Sequence, residues 1–245
     1  MKFKFTFILI SIITIMSSCD KKIESGSDVI HLMKDSYNNS YLKNFTFSQY
    51  ITEYKNDTVI NKTIWHEAYS CPNKLVIKID SFNSGNGYIF NQDTFFIMKN
   101  NMVDKKHRDI HDLLLLGFDI YAQPFQTSFE KLTEKGYDLS KVCETKINGR
   151  EAYCIGVNNI TDKENNFYID KENLCFIKMV SYTHSRYNEA IFADYKIVKG
   201  KYIATKVLFY NKSQLIMSEE YFNMDFPEFL DSRIFNAEYF KEAIW

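Results

Sequence analysis

The stretch Cys143-Glu144-Thr145-Lys146-Ile147-Asn148-Gly149-Arg150-Glu151-Ala152-Tyr153-Cys154 reads as a strand, a two-residue turn and a returning strand. Asn-Gly is the strongest short-range hairpin signal, because both residues tolerate the positive φ of a type I′ turn. Counting outward, Ile147 faces Arg150 and Cys143 faces Cys154. Directly opposed residues have Cα atoms about 4.5–5.5 Å apart, inside the roughly 4.4–6.8 Å that a disulfide spans. Two reduced, buried cysteines fit the same register, so the bridge and the free pair both stay open.

Working outward from this hairpin, short alternating segments recur near 165–170, 174–183, 189–198, 202–210 and 214–223, separated by a few polar residues. Such spacing implies antiparallel neighbours. Upstream, Phe45 and Phe47 alternate with Thr46 and Ser48. Trp65, Glu67 and Tyr69 share one side of a second strand, and Leu75, Ile77 and Ile79 share one side of a third. Tyr88–Asn91 and Thr94–Lys99 pair around Gln92-Asp93. Two segments break the pattern. Residues 28–41 read as a helix capped by Ser27, with Val29, Leu32, Met33 and Tyr37 on one face. His107 to Tyr121, which contains Leu113-Leu114-Leu115-Leu116, reads as a second helix, apolar on most sides. Pro124 opens a third, carrying Phe125, Phe129 and Leu132 and stopped at Gly136. The tail, 231–245, holds a short helix near Ala237.

The 245 residues carry 30 Lys+Arg against 31 Asp+Glu, with 21 Phe, 17 Tyr, 8 Gly and 3 Pro. So little Gly and Pro excludes collagen-like and Pro/Gly-rich disordered chains. The near-neutral charge lacks the electrostatic footprint of a nucleic-acid binder. Abundant Phe and Tyr with little Gly favours sheet. The expected fold is α+β: one domain over 28–245, a single curled antiparallel sheet of about eleven strands with a leading helix and inserted helices.

The first residues are an address. Lys2 and Lys4 precede an apolar run from Phe5 to Met16, about a dozen residues where a membrane span needs roughly 20. Residues 1–18 therefore read as a signal peptide. Ile15-Met16-Ser17-Ser18-Cys19 resembles the bacterial lipoprotein processing box, with Met16 where Leu is usual; an ordinary secretory signal with a chance cysteine is the alternative. The resemblance implies a diacylglycerol on Cys19 and an added N-acyl chain, hence anchoring to a membrane of the cell envelope, with the outer membrane facing the periplasm favoured. Residues 19–27 read as a polar tether.

The order of elements resembles the periplasmic lipoprotein carriers of the LolA/LolB type. Phe167-Tyr168-Ile169-Asp170, a turn, and Leu174-Cys175-Phe176-Ile177-Lys178-Met179 resemble that family's strand–turn–strand. Asp194-Tyr195-Lys196-Ile197-Val198-Lys199-Gly200 resembles its next strand and turn. Trp65-His66-Glu67-Ala68 with Pro72-Asn73-Lys74-Leu75 resembles an early strand, proline turn and strand of related lipoproteins. LolA itself is a soluble shuttle, whereas this chain reads as anchored; the LolB signature loop is absent. The resemblance implies a half-barrel that binds an acyl chain, phospholipid or lipoprotein, covered by lid helices. Leu113, Leu114, Leu116, Phe125 and Phe129 are the lid candidates; plain core filling is the alternative for the leucine run.

Catalytic signatures are sparse. His107 and His111 are four apart on the expected helix, but Arg108 stands where a zinc-protease Glu belongs and no third ligand is placed. His66 and Glu67 point to opposite faces of a strand. There is no nucleophile elbow, and Gly85-Asn86-Gly87 lacks a third glycine and a following helix. Asp162, Glu164, Asp170 and Glu172 flank a hairpin as solvated carboxylates or, less simply, as a glycosidase pair. No cofactor is expected. The leading expectation is a non-catalytic, lipid-anchored hydrophobic-ligand binder. The competing ones are an envelope scaffold or sensor that holds a peptide or partner protein, and an envelope-polymer hydrolase.

Overall fold

The computed structural model describes residues 22–37, 41–183 and 186–245. Residues 1–18, read above as a signal peptide, Cys19 and the first part of the expected tether lie outside the described residues. The chain opens with α1 (Gly26–Tyr37), then β1 (Asn44–Lys55), β2 (Thr58–Ser70), β3 (Lys74–Ile79), β4 (Gly87–Asn91), β5 (Thr94–Lys99) and β6 (Met102–Arg108). A helical insertion follows: α2 (Asp112–Gly117), a 3₁₀ turn (Asp119–Tyr121) and α3 (Phe125–Glu134). The second half runs β7 (Val142–Ile147), β8 (Arg150–Ile155), β9 (Asn166–Asp170), β10 (Phe176–Thr183), β11 (Arg186–Ala193), β12 (Lys196–Val198), β13 (Lys201–Ile203), β14 (Lys206–Asn211) and β15 (Gln214–Asp225). Two 3₁₀ turns (Ser232–Phe235 and Ala237–Tyr239) finish it.

Thirteen strands form one antiparallel sheet in the order β6-β5-β4-β3-β2-β1-β15-β14-β11-β10-β9-β8-β7, and β12–β13 make a separate hairpin. Each half is a meander, and the two meet along β1–β15, where the first and last strands pair from Thr46↔Asp225 to Glu53↔Met217. The edge strands β6 and β7 do not meet, so the sheet is a half-barrel curled over its helices. Register shifts that place an extra residue in β2, β6, β10 and, twice, in β15 supply local twist. The expected α+β class and curled sheet stand, with thirteen strands in place of about eleven.

The period-two reading holds in detail. Gln49 pairs with Trp65 and Tyr221, Phe47 with Glu67, Tyr69 with Leu75 and Glu67 with Ile77, so one face of β15, β1, β2 and β3 turns inward together. The Asn148-Gly149 turn has φ of 50° and 81°, and Ile147↔Arg150 through Cys143↔Cys154 follow the expected register. The leading helix starts two residues earlier than expected and ends at Tyr37.

The main departure is the segment from His107 to Tyr121, which is not one helix. Met102–Arg108 is edge strand β6, exposed along its whole length, so its residues alternate in direction without alternating in hydrophobicity. Only Asp112–Gly117 is α-helical. His111 is its N-cap, accepting the Leu114 N–H on Nδ1 at 3.1 Å. His107, on β6, meets Phe95 edge-on. The two histidines therefore share no helix face, and the candidate metal pair dissolves. Among the described residues no three His, Cys, Asp or Glu side chains converge as metal ligands.

Three contacts hold the insertion on the concave face. Asp119, fully buried, accepts the Tyr69 hydroxyl at 2.8 Å and the Asn73 backbone N–H at 3.1 Å, tying the 3₁₀ turn to the β2–β3 corner. Lys131 of α3 joins Asp93 in the β4–β5 turn at 2.7 Å, and within the insertion Lys135, the residue after α3, reaches back to Asp112 of α2 at 2.9 Å. Gly117 lies so close to Phe192 that an added Cβ would sit 2.8 Å from the ring, so the helix end needs a glycine there.

Candidate functional site

The inward face of the central strands and the underside of α2 enclose a cavity of about 320 Å³. Its walls are mostly aromatic and aliphatic: Phe47, Trp65, Tyr69, Leu75, Ile77 and Tyr88 from the first half, Phe192, Phe209, Met217 and Tyr221 from the second, and Leu113, Leu114 and Phe118 from the insertion. This size and lining suit a small-molecule pocket. The proposed lid residues divide. Leu113 and Leu114 reach the cavity. Leu116 is fully buried in the adjoining core with Val29, Ile120 and Phe176. Phe125 instead stacks on His31 of α1, with ring centroids 4.0 Å apart, and packs on Phe129. Neither phenylalanine lines the cavity.

The cavity also holds three polar side chains that the sequence reading passed over as site residues. Gln49, Glu67 and Glu219 are 1%, 5% and 9% exposed, and they come from three adjacent strands, β1, β2 and β15. Because Glu67 pairs with Phe47 and Glu219 with Ile51, both lie diagonal to Gln49. Gln49 Nε2 donates to Glu67 Oε1 at 2.5 Å, while Gln49 Oε1 is buried and has no partner among the described residues. Glu219 shares a hydrogen bond with Tyr221. Burial pushes the Glu219 carboxyl up to about 8, against the lowering by Tyr221. Burial, then repulsion by Glu219, pushes Glu67 well above its ordinary value. Both shifts favour the protonated, uncharged form of the acid. A sequence signal for them exists: each is an acid flanked at i±2 by large apolar or aromatic residues (Trp65 and Tyr69; Met217 and Tyr221), on the buried side of a period-two strand.

His111 faces the same cavity. Its Nδ1 accepts a hydrogen bond, so Nε2 carries the proton, and burial pulls its pKa down to about 4. His66 lies on the other face, with Ser48 Oγ 2.8 Å from its Nδ1 and its ring stacked on Phe82. The hairpin carboxylates have separate tasks. Asp170 binds Arg150 Nε at 2.7 Å and caps Asn173. Glu164 pairs with Lys141, and Asp162 accepts the Asn159 N–H.

No family model matches the sequence, and no curated protein matches it. Solved structures do. A LolA superfamily protein from Nitrosomonas europaea superposes with a TM-score of 0.57 at 12% identity, over 86% of this chain and 98% of its own. A putative outer membrane lipoprotein-sorting protein domain from Vibrio parahaemolyticus gives 0.57 at 14% identity, over 88% and 98%. A DUF1329 family protein from Desulfovibrio piger gives 0.57 at 11% identity, over 86% and 95%. At these identities the likeness is one of fold, and the fold is that of a LolA-like half-barrel.

Proposed function

We propose that this chain is a lipid-anchored protein of the bacterial envelope that binds an acyl-bearing or otherwise hydrophobic ligand in its half-barrel, without catalysis. The observation that carries the reading is the aromatic-lined cavity roofed by Leu113 and Leu114. Burying a chain there contributes about 0.8 kcal/mol per CH₂. The lipoprotein-like signal ending at Cys19 and the kinship of fold with a lipoprotein-sorting domain support the location and ligand class. An acyl chain on a lipoprotein or phospholipid is the natural occupant of such a greasy cleft. The scaffold reading has less support: exposed edge β6 carries Lys105, Lys106 and Arg108, charges that discourage an added strand.

The test is native mass spectrometry and acyl-chain titration of the chain from Asp20, with Leu113→Asp and Leu114→Asp alongside. Co-purified lipid, and loss of chain binding in both variants with the sheet's circular dichroism intact, is the expected result. Unfolding of Leu113→Asp as well as Leu114→Asp would make the run core filler.

We also propose that Cys143 and Cys154 become bridged on export. They stand opposite one another and are free thiols in this structure. Burial pushes the Cys154 thiol up to about 12, so little thiolate forms and uncatalysed oxidation should be slow. Non-reducing peptide mapping of protein exported to the periplasm should show the Cys143–Cys154 link, and protein made in the cytoplasm should lack it. Full alkylation of both thiols in exported protein would end the idea.

A further inference from the structure

We infer that Gln49, Glu67 and Glu219 form a recognition point for a primary ammonium group, so that the cavity takes a long-chain alkylammonium ion with its charged head against β1, β2 and β15. The inference rests on the reading of the cavity as a ligand site and specifies the ligand's head. Gln49 and Tyr221 each give one of the two carboxyls a hydrogen bond, but two acids in a mostly apolar wall still cost free energy unless their remaining hydrogen-bonding capacity is met. Beside them the buried Gln49 Oε1 is an acceptor without a partner among the described residues. Together the triplet offers one amide oxygen and two carboxyl groups, and an ammonium has three N–H donors to place on them. Trp65, Tyr69 and Tyr221 line the same cavity, and aromatic rings attract cations.

The charge balance favours a cation over an anion. No lysine or arginine lines the cavity, so a carboxylate or phosphate head would meet two acids and no counter-charge. The other titratable groups facing the site are His111 from the loop before α2, Tyr69 on β2, Tyr88 on β4 and Tyr221 on β15. His111 is uncharged at neutral pH, and burial holds Tyr69 and Tyr221 in their neutral forms. Only the two glutamates can supply negative charge. When the ammonium enters, the O–H bond of a carboxyl breaks, its proton passes to solvent, and the carboxylate stays paired with the ammonium. Affinity for an alkylammonium should therefore rise with pH, while affinity for an uncharged analogue should not.

Calorimetric titration of the chain from Asp20 with dodecylammonium, dodecanol and dodecanoate below their micellar concentrations, at pH 6.5 and 8.5, tests this. Every described element lies after residue 21, so that chain carries the whole fold. The expected result is at least tenfold tighter binding of dodecylammonium than of dodecanol, strengthening with pH. The Glu67→Gln/Glu219→Gln variant should keep dodecanol binding and lose both the preference and its pH trend. Equal affinity for dodecylammonium and dodecanol in the unaltered protein overturns the ammonium site and leaves the hydrophobic cavity standing. So does tighter binding of dodecanoate, or a preference that survives in the double variant. Binding of none of the three overturns the cavity reading and this inference with it. The preference and pH trend of the unaltered protein decide the matter even if the double variant does not fold.

Discussion

A chain ending at Leu230 should fail to fold at 25 °C. Residues 231–245 cover the outer face of β2–β5, where Ala68, Val76, Ile89 and Met98 pack under Ile234, Phe235, Phe240 and Ala243. All eight are at least 94% buried. Fully burying each of Ile234, Phe235 and Phe240 contributes about 1.5–3 kcal/mol, so the segment carries roughly 5–9 kcal/mol. That is comparable with the whole stability of a typical domain, about 5–15 kcal/mol. Lys78 shows how closely the segment fits. It is fully buried on this face, its Nζ is 3.8 Å from the Phe240 ring centroid, and it donates to the carbonyls of Phe82 and Phe240. Truncation releases that cation to water, which recovers part of the loss without replacing the apolar cover. Phe240→Ala alone should cost about 3–5 kcal/mol in urea unfolding followed by circular dichroism. An unchanged urea midpoint in either variant would mean that the tail is a passenger.

That role shows why some of this molecule can be read from its sequence and some cannot. Trp65, Glu67 and Tyr69, or Leu75, Ile77 and Ile79, declare a shared face because a strand alternates and one side is buried. Asn148-Gly149 declares its turn because few other pairs accept two positive φ values. Strand β6 declares nothing, since both of its sides are solvated, and the apolar Leu113–Leu116 run next to it draws the helix assignment too far upstream. The tail reads only as a short helix near Ala237 because what it covers, the outer face of β2–β5, is over a hundred residues away. The pairing of β1 with β15 is hidden for the same reason. The cavity's polar triplet is half visible: Glu67 and Glu219 each sit at buried-side positions, and Glu67 meets Gln49 across the local β1–β2 hairpin, but Glu219 joins them only through that long-range pairing.

The same triplet should make the empty protein less stable as pH rises through neutrality, the reverse of ordinary carboxylates held by cations. An acid whose folded pKa is raised binds its proton more tightly in the native state. Its stabilising effect is full below the unfolded value and is lost as pH climbs toward the folded one. For Glu219 that window runs from its ordinary 4.5 to about 8, and Glu67 acts in the same direction. Asp119, raised by burial to about 6, adds a loss between 3.8 and 6. His111 opposes it: its folded pKa is lowered from 6.5 to about 4, so its contribution grows as pH rises across that interval. These two largely offset each other below pH 6.5, and above it the glutamates set the trend. Below its folded value Glu219 contributes a slope of about 1.4 kcal/mol per pH unit. Between pH 6.5 and 8 its loss should be about 2 kcal/mol, a fall in Tm of roughly 4–8 °C for a domain of this size, and Glu67 adds to it in the same direction. Glu219→Gln should reduce the slope and the Glu67→Gln/Glu219→Gln pair should flatten it, since an amide keeps the shape and cannot ionise. Scanning calorimetry at the two pH values reads this directly. A Tm that holds or rises toward pH 8, or a double variant that falls as steeply as the parent, would mean that the two acids are hydrated and ionised in the folded protein. An ammonium-bearing ligand should invert the slope, because its charge stabilises the carboxylate that the empty cavity penalises.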